Sequence, residues 1–103
     1  MSSFFGKKLK ELRGEKNIPQ REVASFLEID TATYCKFENG DRRANREQVT
    51  LLADFFDSNK KELLQLWSAD KIYEIIVEEE DAKGILNMVA ESISNYESKK
   101  SKV

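Results

Sequence analysis

The chain has no histidine, one cysteine, one proline, one tryptophan and four glycines in 103 residues. Without histidine it lacks the commonest general base and metal ligand, and a single thiol excludes both a disulfide framework and a Cys/His zinc site. There is no glycine-rich loop to cradle phosphates, and no residues pair a nucleophile with a base. No apolar run approaches the length that crosses a bilayer, and no signal-peptide pattern heads the chain. These absences predict a cytoplasmic protein that is not an enzyme, holds no metal or cofactor and does not enter a membrane.

What is present is charge and helical periodicity. Charged residues make up 35% and apolar residues 40%, enough for one modest helical core. The net charge is −2, but it is unevenly spread. Residues 1–46 carry ten Lys/Arg against seven Asp/Glu, a balance of +3; residues 47–103 carry seven against twelve, a balance of −5. A face that grips a polyanion needs a local positive patch, not a basic whole.

Apolar spacing predicts a first helix over Ser3–Lys16, with Phe5, Leu9 and Leu12 facing inward. Asn17-Ile18-Pro19 ends it, and a second helix covers about Gln20–Leu27. Asp30 is the expected N-cap of a third helix that runs to about Glu38 and stops at Asn39-Gly40. Asn45 and Gln48 have capping-box spacing for a fourth helix, whose core stripe is Val49, Leu52, Ala53 and Phe56. Asn59 and Glu62 open a fifth, with Leu63, Leu66 and Trp67 inward. A last helix is expected at about Ala82–Tyr96, followed by a solvated tail.

The second and third helices carry the most information. Val23, Ala24 and Leu27 share one face, Glu28-Ile29-Asp30 is too short for an ordinary connection, and Tyr34 and Phe37 are the inward residues of the next helix. Ala24 is small enough for two helices to cross there, and Ile29 plugs the turn. This pattern meets the physical requirements of a helix-turn-helix, whose second helix enters the DNA major groove. The order Gln20, Ala24, Ile29 and the closing Glu38-Asn39-Gly40 resembles the Xre-type, phage repressor-like helix-turn-helix family, over roughly Phe4 to Trp67. Three positions depart from the family pattern: Glu28 in place of the usual turn glycine, Tyr34 in place of an aliphatic, and Cys35 in place of a small polar residue. A left-handed backbone at Glu28 costs about 1 kcal/mol.

The resemblance implies an all-α fold: a five-helix phage repressor-like DNA-binding domain with an added C-terminal helical extension. The expected organisation is a DNA-binding domain over 1–68, an extension over 69–97 and a flexible tail over 98–103. The expected partner is double-stranded DNA. Thr31, Ala32, Thr33 and Lys36 are the candidate base-edge residues: threonine methyls and alanine suit thymine methyl groups, and Lys36 suits guanine. Gln20 and Arg21 are candidate phosphate contacts at the start of the second helix, and the resemblance adds a bracing role for Gln20. Asn39, Arg42, Arg43 and Arg46 form the candidate backbone clamp. The plain alternatives are a solvated arginine loop, a Lys36 that only snorkels to water, and threonines that only start a helix. Cys35 is read as a space-filler rather than a redox sensor, and Glu78–Asp81 as a solvated helix end favoured by the following helix's dipole rather than a metal site.

Apolar residues continue past Trp67. The expectation is a homodimer interface built from Ile72, Ile75, Ile76, Val89 and Ile93, which would set two recognition helices about 34 Å apart on a palindromic operator. The alternatives are that these helices fold back on the chain, or that they bind a partner protein, as an antitoxin would. Residues 66–73 also resemble small regulators associated with restriction–modification systems.

Overall fold

A computed structural model of the protein describes residues 3–101, with side chains through residue 99. All regular structure among them is helical: α1 (Phe4–Glu15), α2 (Gln20–Phe26), α3 (Thr31–Asn39), α4 (Arg46–Phe55), α5 (Lys60–Ile76) and α6 (Ala82–Ser101). This is the all-α, phage repressor-like arrangement expected from the sequence. The chain divides into two compact units between Lys71 and Ile72, within α5.

In the first unit, side chains from five helices meet in one core: Phe5, Leu9 and Leu12 from α1, Val23 and Ala24 from α2, Tyr34 and Phe37 from α3, Val49, Leu52 and Ala53 from α4, and Leu63 and Trp67 from α5. Each fully buried Leu or Val there contributes about 1.5–3 kcal/mol over exposure. Gly6 lets α1 close on the end of α3: a Cβ at this position would lie 2.8 Å from the Phe37 carbonyl oxygen and closer still to that of Glu38.

Helix starts follow the side chains available to cap them. Ser3 Oγ accepts from the Gly6 N–H at 2.8 Å, Asp30 Oδ1 from Thr33 at 2.6 Å and Asn59 Oδ1 from Glu62 at 2.9 Å. Asn45 and Gln48 form a reciprocal capping box at 2.8 and 2.9 Å. The start of α1 receives a second anchor from far along the chain. The Asp70 carboxylate accepts from the Phe4 and Phe5 N–H groups at 2.8 and 3.1 Å, satisfying donors that a helix start leaves open.

The first four helices end alike. A residue of positive φ follows each one: Asn17 (53°), Glu28 (60°), Gly40 (79°) and Asp57 (50°). The next amide then reaches back to the last turn: Ile18 to Arg13, Ile29 to Ala24, Asp41 to Lys36 and Ser58 to Ala53, at 2.8–3.1 Å. These are Schellman ends, which use carbonyls that the helix leaves unpaired. At the α2 end the motif, with Glu28 in the left-handed conformation, produces the tight turn into α3.

The second unit contains the end of α5 and all of α6. Asp81 Oδ1 accepts from the Gly84 N–H at 3.3 Å, so the acidic run supplies a helix cap. Among the described residues no group of three His, Cys, Asp or Glu could hold a metal ion, and no helix is long and apolar enough to cross a membrane. Where the sequence predicts an end near Tyr96 and a flexible tail over 98–103, α6 runs on to Ser101. No glycine or proline follows Gly84 to stop it, and Lys99 suits the negative end of the helix dipole. Residues 102 and 103 of that expected tail lie outside the described residues.

Candidate nucleic-acid interface

Residues of α3 divide cleanly by face. Tyr34, Phe37 and Glu38 are buried, whereas Thr31, Ala32, Lys36 and Asn39 are exposed and Thr33 and Cys35 half-buried. The exposed set includes the first turn, where a recognition helix meets base edges. Asp30 spends its carboxylate on the Thr33 N–H. Hydrogen bonding from Thr33, through its side chain first and its N–H second, with Lys36 and Arg42 nearby, holds that carboxyl below the usual carboxylate range. Cys35 Sγ accepts from Asn39 Nδ2 at 3.5 Å, so the thiol is tied to its own helix.

Cationic and polar groups flank this face. Arg21 is exposed at the start of α2 and lines an open hollow with Pro19, Glu22 and Ser25. Arg42 and Arg43 are exposed in the loop after α3, and Arg46 is exposed at the first position of α4. Gln20 is half-buried, and its Nε2 donates to Glu38 Oε1 at 3.0 Å.

Glu38 is the centre of a network that the sequence reading did not identify. It is fully buried, and Arg13 forks onto it with Nε to Oε2 at 2.7 Å and Nη2 to Oε1 at 3.1 Å. Arg13 Nη1 also donates to the Ile18 carbonyl at 3.1 Å. One carboxylate therefore ties α1, the start of α2 and the end of α3 together. Burial alone would raise the Glu38 carboxyl, but the hydrogen bonds from Arg13 and Gln20 outweigh it and hold the group below its ordinary value. The Tyr34 hydroxyl is buried without a hydrogen bond of good geometry. Burial, reinforced by the Glu38 carboxylate, pushes that phenol far up, so it stays neutral.

The model of a family described as "Helix-turn-helix domain" matches residues 6–68, more than half of the chain. The chain belongs to this helix-turn-helix family. Over 57 residues it is 42% identical to the HTH-type transcriptional regulator AnsR of Bacillus subtilis (strain 168), covering 55% of this chain and 49% of that protein. Over 53 residues it is 34% identical to the cryptic phage CTXphi transcriptional repressor RstR of Vibrio cholerae, covering 52% and 48%. The chain thus spans about half the length of the curated relatives it matches. Both similarities agree with the Xre-type resemblance in α2 and α3.

Helical spacing was a signal that each member of the missed pair faces inward, though not that the two meet. Glu38 lies four residues after buried Tyr34, and Arg13 four after buried Leu9, so each continues an inward stripe. In the second unit Ile72, Ile75, Val89 and Ile93 are 48–75% exposed, as are Leu86, Met88 and Tyr96 at 41–71%. Ile76, grouped with the first four by sequence, differs from them: at 9% exposure it is covered within its own chain.

Proposed function

We propose that the protein is a sequence-specific, double-stranded DNA-binding transcriptional regulator that acts as a homodimer on a palindromic operator. The observation that carries this reading is the helix-turn-helix with an open α3 face. Thr31, Ala32 and Lys36 are exposed on it, Thr33 is half-buried beside them, and Arg21, Arg42, Arg43 and Arg46 are exposed on the flanking segments. Lys36 and the Thr31–Thr33 turn read base edges; Gln20, Arg21, Asn39 and the three later arginines bind the phosphate backbone. Gln20 acts through its bond to Glu38, bracing the start of α2 against the end of α3.

The dimer is formed through the second unit, with Ile72, Ile75, Val89 and Ile93 as contact residues. Their exposure, with that of Met88 and Tyr96, supports this: apolar area of this kind in a compact protein marks an interaction surface. A two-fold pair also matches the symmetry of palindromic sites.

Selection of bound duplexes from a random-sequence pool tests the DNA reading. Enrichment of one inverted repeat supports it; recovery of the input pool at every salt concentration defeats it. Sizing of the Ile75→Asp, Ile93→Asp double variant tests the dimer: the variant runs as a monomer and binds half-sites only. If that variant remains a dimer, the interface lies elsewhere. If the parent runs as a monomer and its apolar face is filled only by a different protein, the antitoxin-like alternative holds.

A further inference from the structure

Trp67, the only tryptophan, does more than fill the core. Its indole Nε1–H donates to the Ala44 carbonyl at 2.7 Å in a buried bond. Ala44 is itself 2% exposed and immediately precedes Asn45, the cap of α4. The ring therefore pins the loop after α3 to α5 just where α4 begins. Two cations lie over the same ring: the Arg46 guanidinium at 5.1 Å from the ring centre and the Lys71 ammonium at 3.6 Å. Neither belongs to the ion pairs that Lys8 makes with Glu11 and Glu62 or Arg13 with Glu38.

This arrangement has a cost. The two cationic centres are no farther apart than the sum of those two distances, close to the Debye length of about 8 Å at physiological salt, so their repulsion is only partly screened. Cation–π attraction of about 0.5–1 kcal/mol each holds them in place. An anion within reach of both would offset that repulsion. Arg46 is exposed and Lys71 half-exposed, so both remain open to one.

We infer that Lys71 is a further DNA-phosphate contact and that Trp67 positions it beside Arg46, so that the pair clamps one segment of the DNA backbone. This rests on the DNA-binding reading above and adds to it a residue from α5, outside both the helix-turn-helix and the loop after it. Two flexible side chains would otherwise lose rotamer freedom on meeting phosphate; held on the ring, they lose less.

The test is a salt titration of duplex binding by the full chain, using the selected operator and a mixed-sequence duplex. Lys71→Gln lowers the slope of log K against log salt by about one unit on both duplexes, and Lys71→Arg restores it. Arg42→Gln, a clamp residue of the loop after α3, serves as the reference and lowers the slope by about one on its own. Trp67 emission gives an independent readout, because phosphate that neutralises a charge on the ring shifts it; the shift shrinks in Lys71→Gln. If Lys71→Gln keeps the parent slope while Arg42→Gln loses a unit, Lys71 only covers the ring and the inference is wrong, whatever happens to the melting temperature. If the parent binds neither duplex even at low salt, the DNA-binding reading itself fails.

Discussion

The two units use the same kinds of apolar residue in opposite ways. In the first, Leu9, Val23, Val49, Leu52 and Leu63 are completely buried, and charges that enter the interior arrive paired, as Glu38 does with Arg13. In the second, Ile75, Met88 and Ile93 are at least half exposed, and among its described large aliphatics only Ile76 is buried. The first unit can therefore account for its own stability. The second has apolar surface whose burial requires something more than the chain supplies. Stability and association should separate along this division.

The largest effect tests that separation directly. Leu52→Ala removes a fully buried side chain from α4 and should cost about 2–5 kcal/mol, read as a lower denaturation midpoint independent of protein concentration. Leu86→Ala, on a residue 41% exposed, should cost less than about 0.5 kcal/mol in dilute protein, with a larger cost appearing only as concentration rises and copies associate. An equal loss from both substitutions in dilute solution would erase the contrast.

Next in size is the buried carboxylate. Glu38→Ala leaves the Arg13 guanidinium without its partner and should cost about 3 kcal/mol. Because the folded Glu38 carboxyl is held below its ordinary value of 4.5, its contribution is complete above that pH and fades as the pH falls through the lower folded value. The parent should thus lose stability below about pH 4.5, and Glu38→Gln should show a shallower acid limb. An acid limb unchanged in Glu38→Gln would mean that other carboxylates govern it.

Charge gives a smaller, sharper version of the same comparison. Lys36→Ala in the first unit should change base preference at one operator position by about 1–3 kcal/mol, whereas Lys83→Ala, also exposed but on α6, should leave preference untouched. Quantitative binding to single-base operator variants reads both. If Lys36→Ala weakens every variant equally, the lysine is a phosphate contact and base reading falls to the Thr31–Thr33 turn.

The sequence made the helices legible because all but α2, which starts behind Pro19, begin at a residue whose side chain caps them, and they carry their apolar residues at helical spacing. Asp30, Asn45 and Asn59 marked starts that the structure places within a residue. The Xre-type motif was legible for the same reason: Ala24, Ile29 and Gly40 have local steric jobs. What the sequence hid is long-range. Asp70 capping α1 across 66 residues, Glu38 reaching Arg13 across 25, and Trp67 reaching Ala44 across 23 depend on how helices cross, and no local pattern encodes that. Ile76 was read with its exposed neighbours because four of five apolar residues in a row give no period that separates one from the rest.

The smallest predicted effect concerns the turn that makes the motif. Asn17, Glu28 and Asp57 all hold positive φ, yet they are not equivalent. Asn and Asp tolerate the left-handed region because their short side chains bond locally; Glu does so poorly. Glycine at 28 would remove about 1 kcal/mol of strain and cost part of that through the looser unfolded chain, leaving a net gain of about 0.5 kcal/mol. Asn17→Gly has less strain to relieve and should be neutral or slightly destabilising. Thermal melting of the two single variants distinguishes them. A Glu28→Gly variant no more stable than Asn17→Gly would show that the chain gains something from this glutamate that offsets its backbone cost, and the tight turn into α3 would then owe its geometry to more than its Schellman bonds.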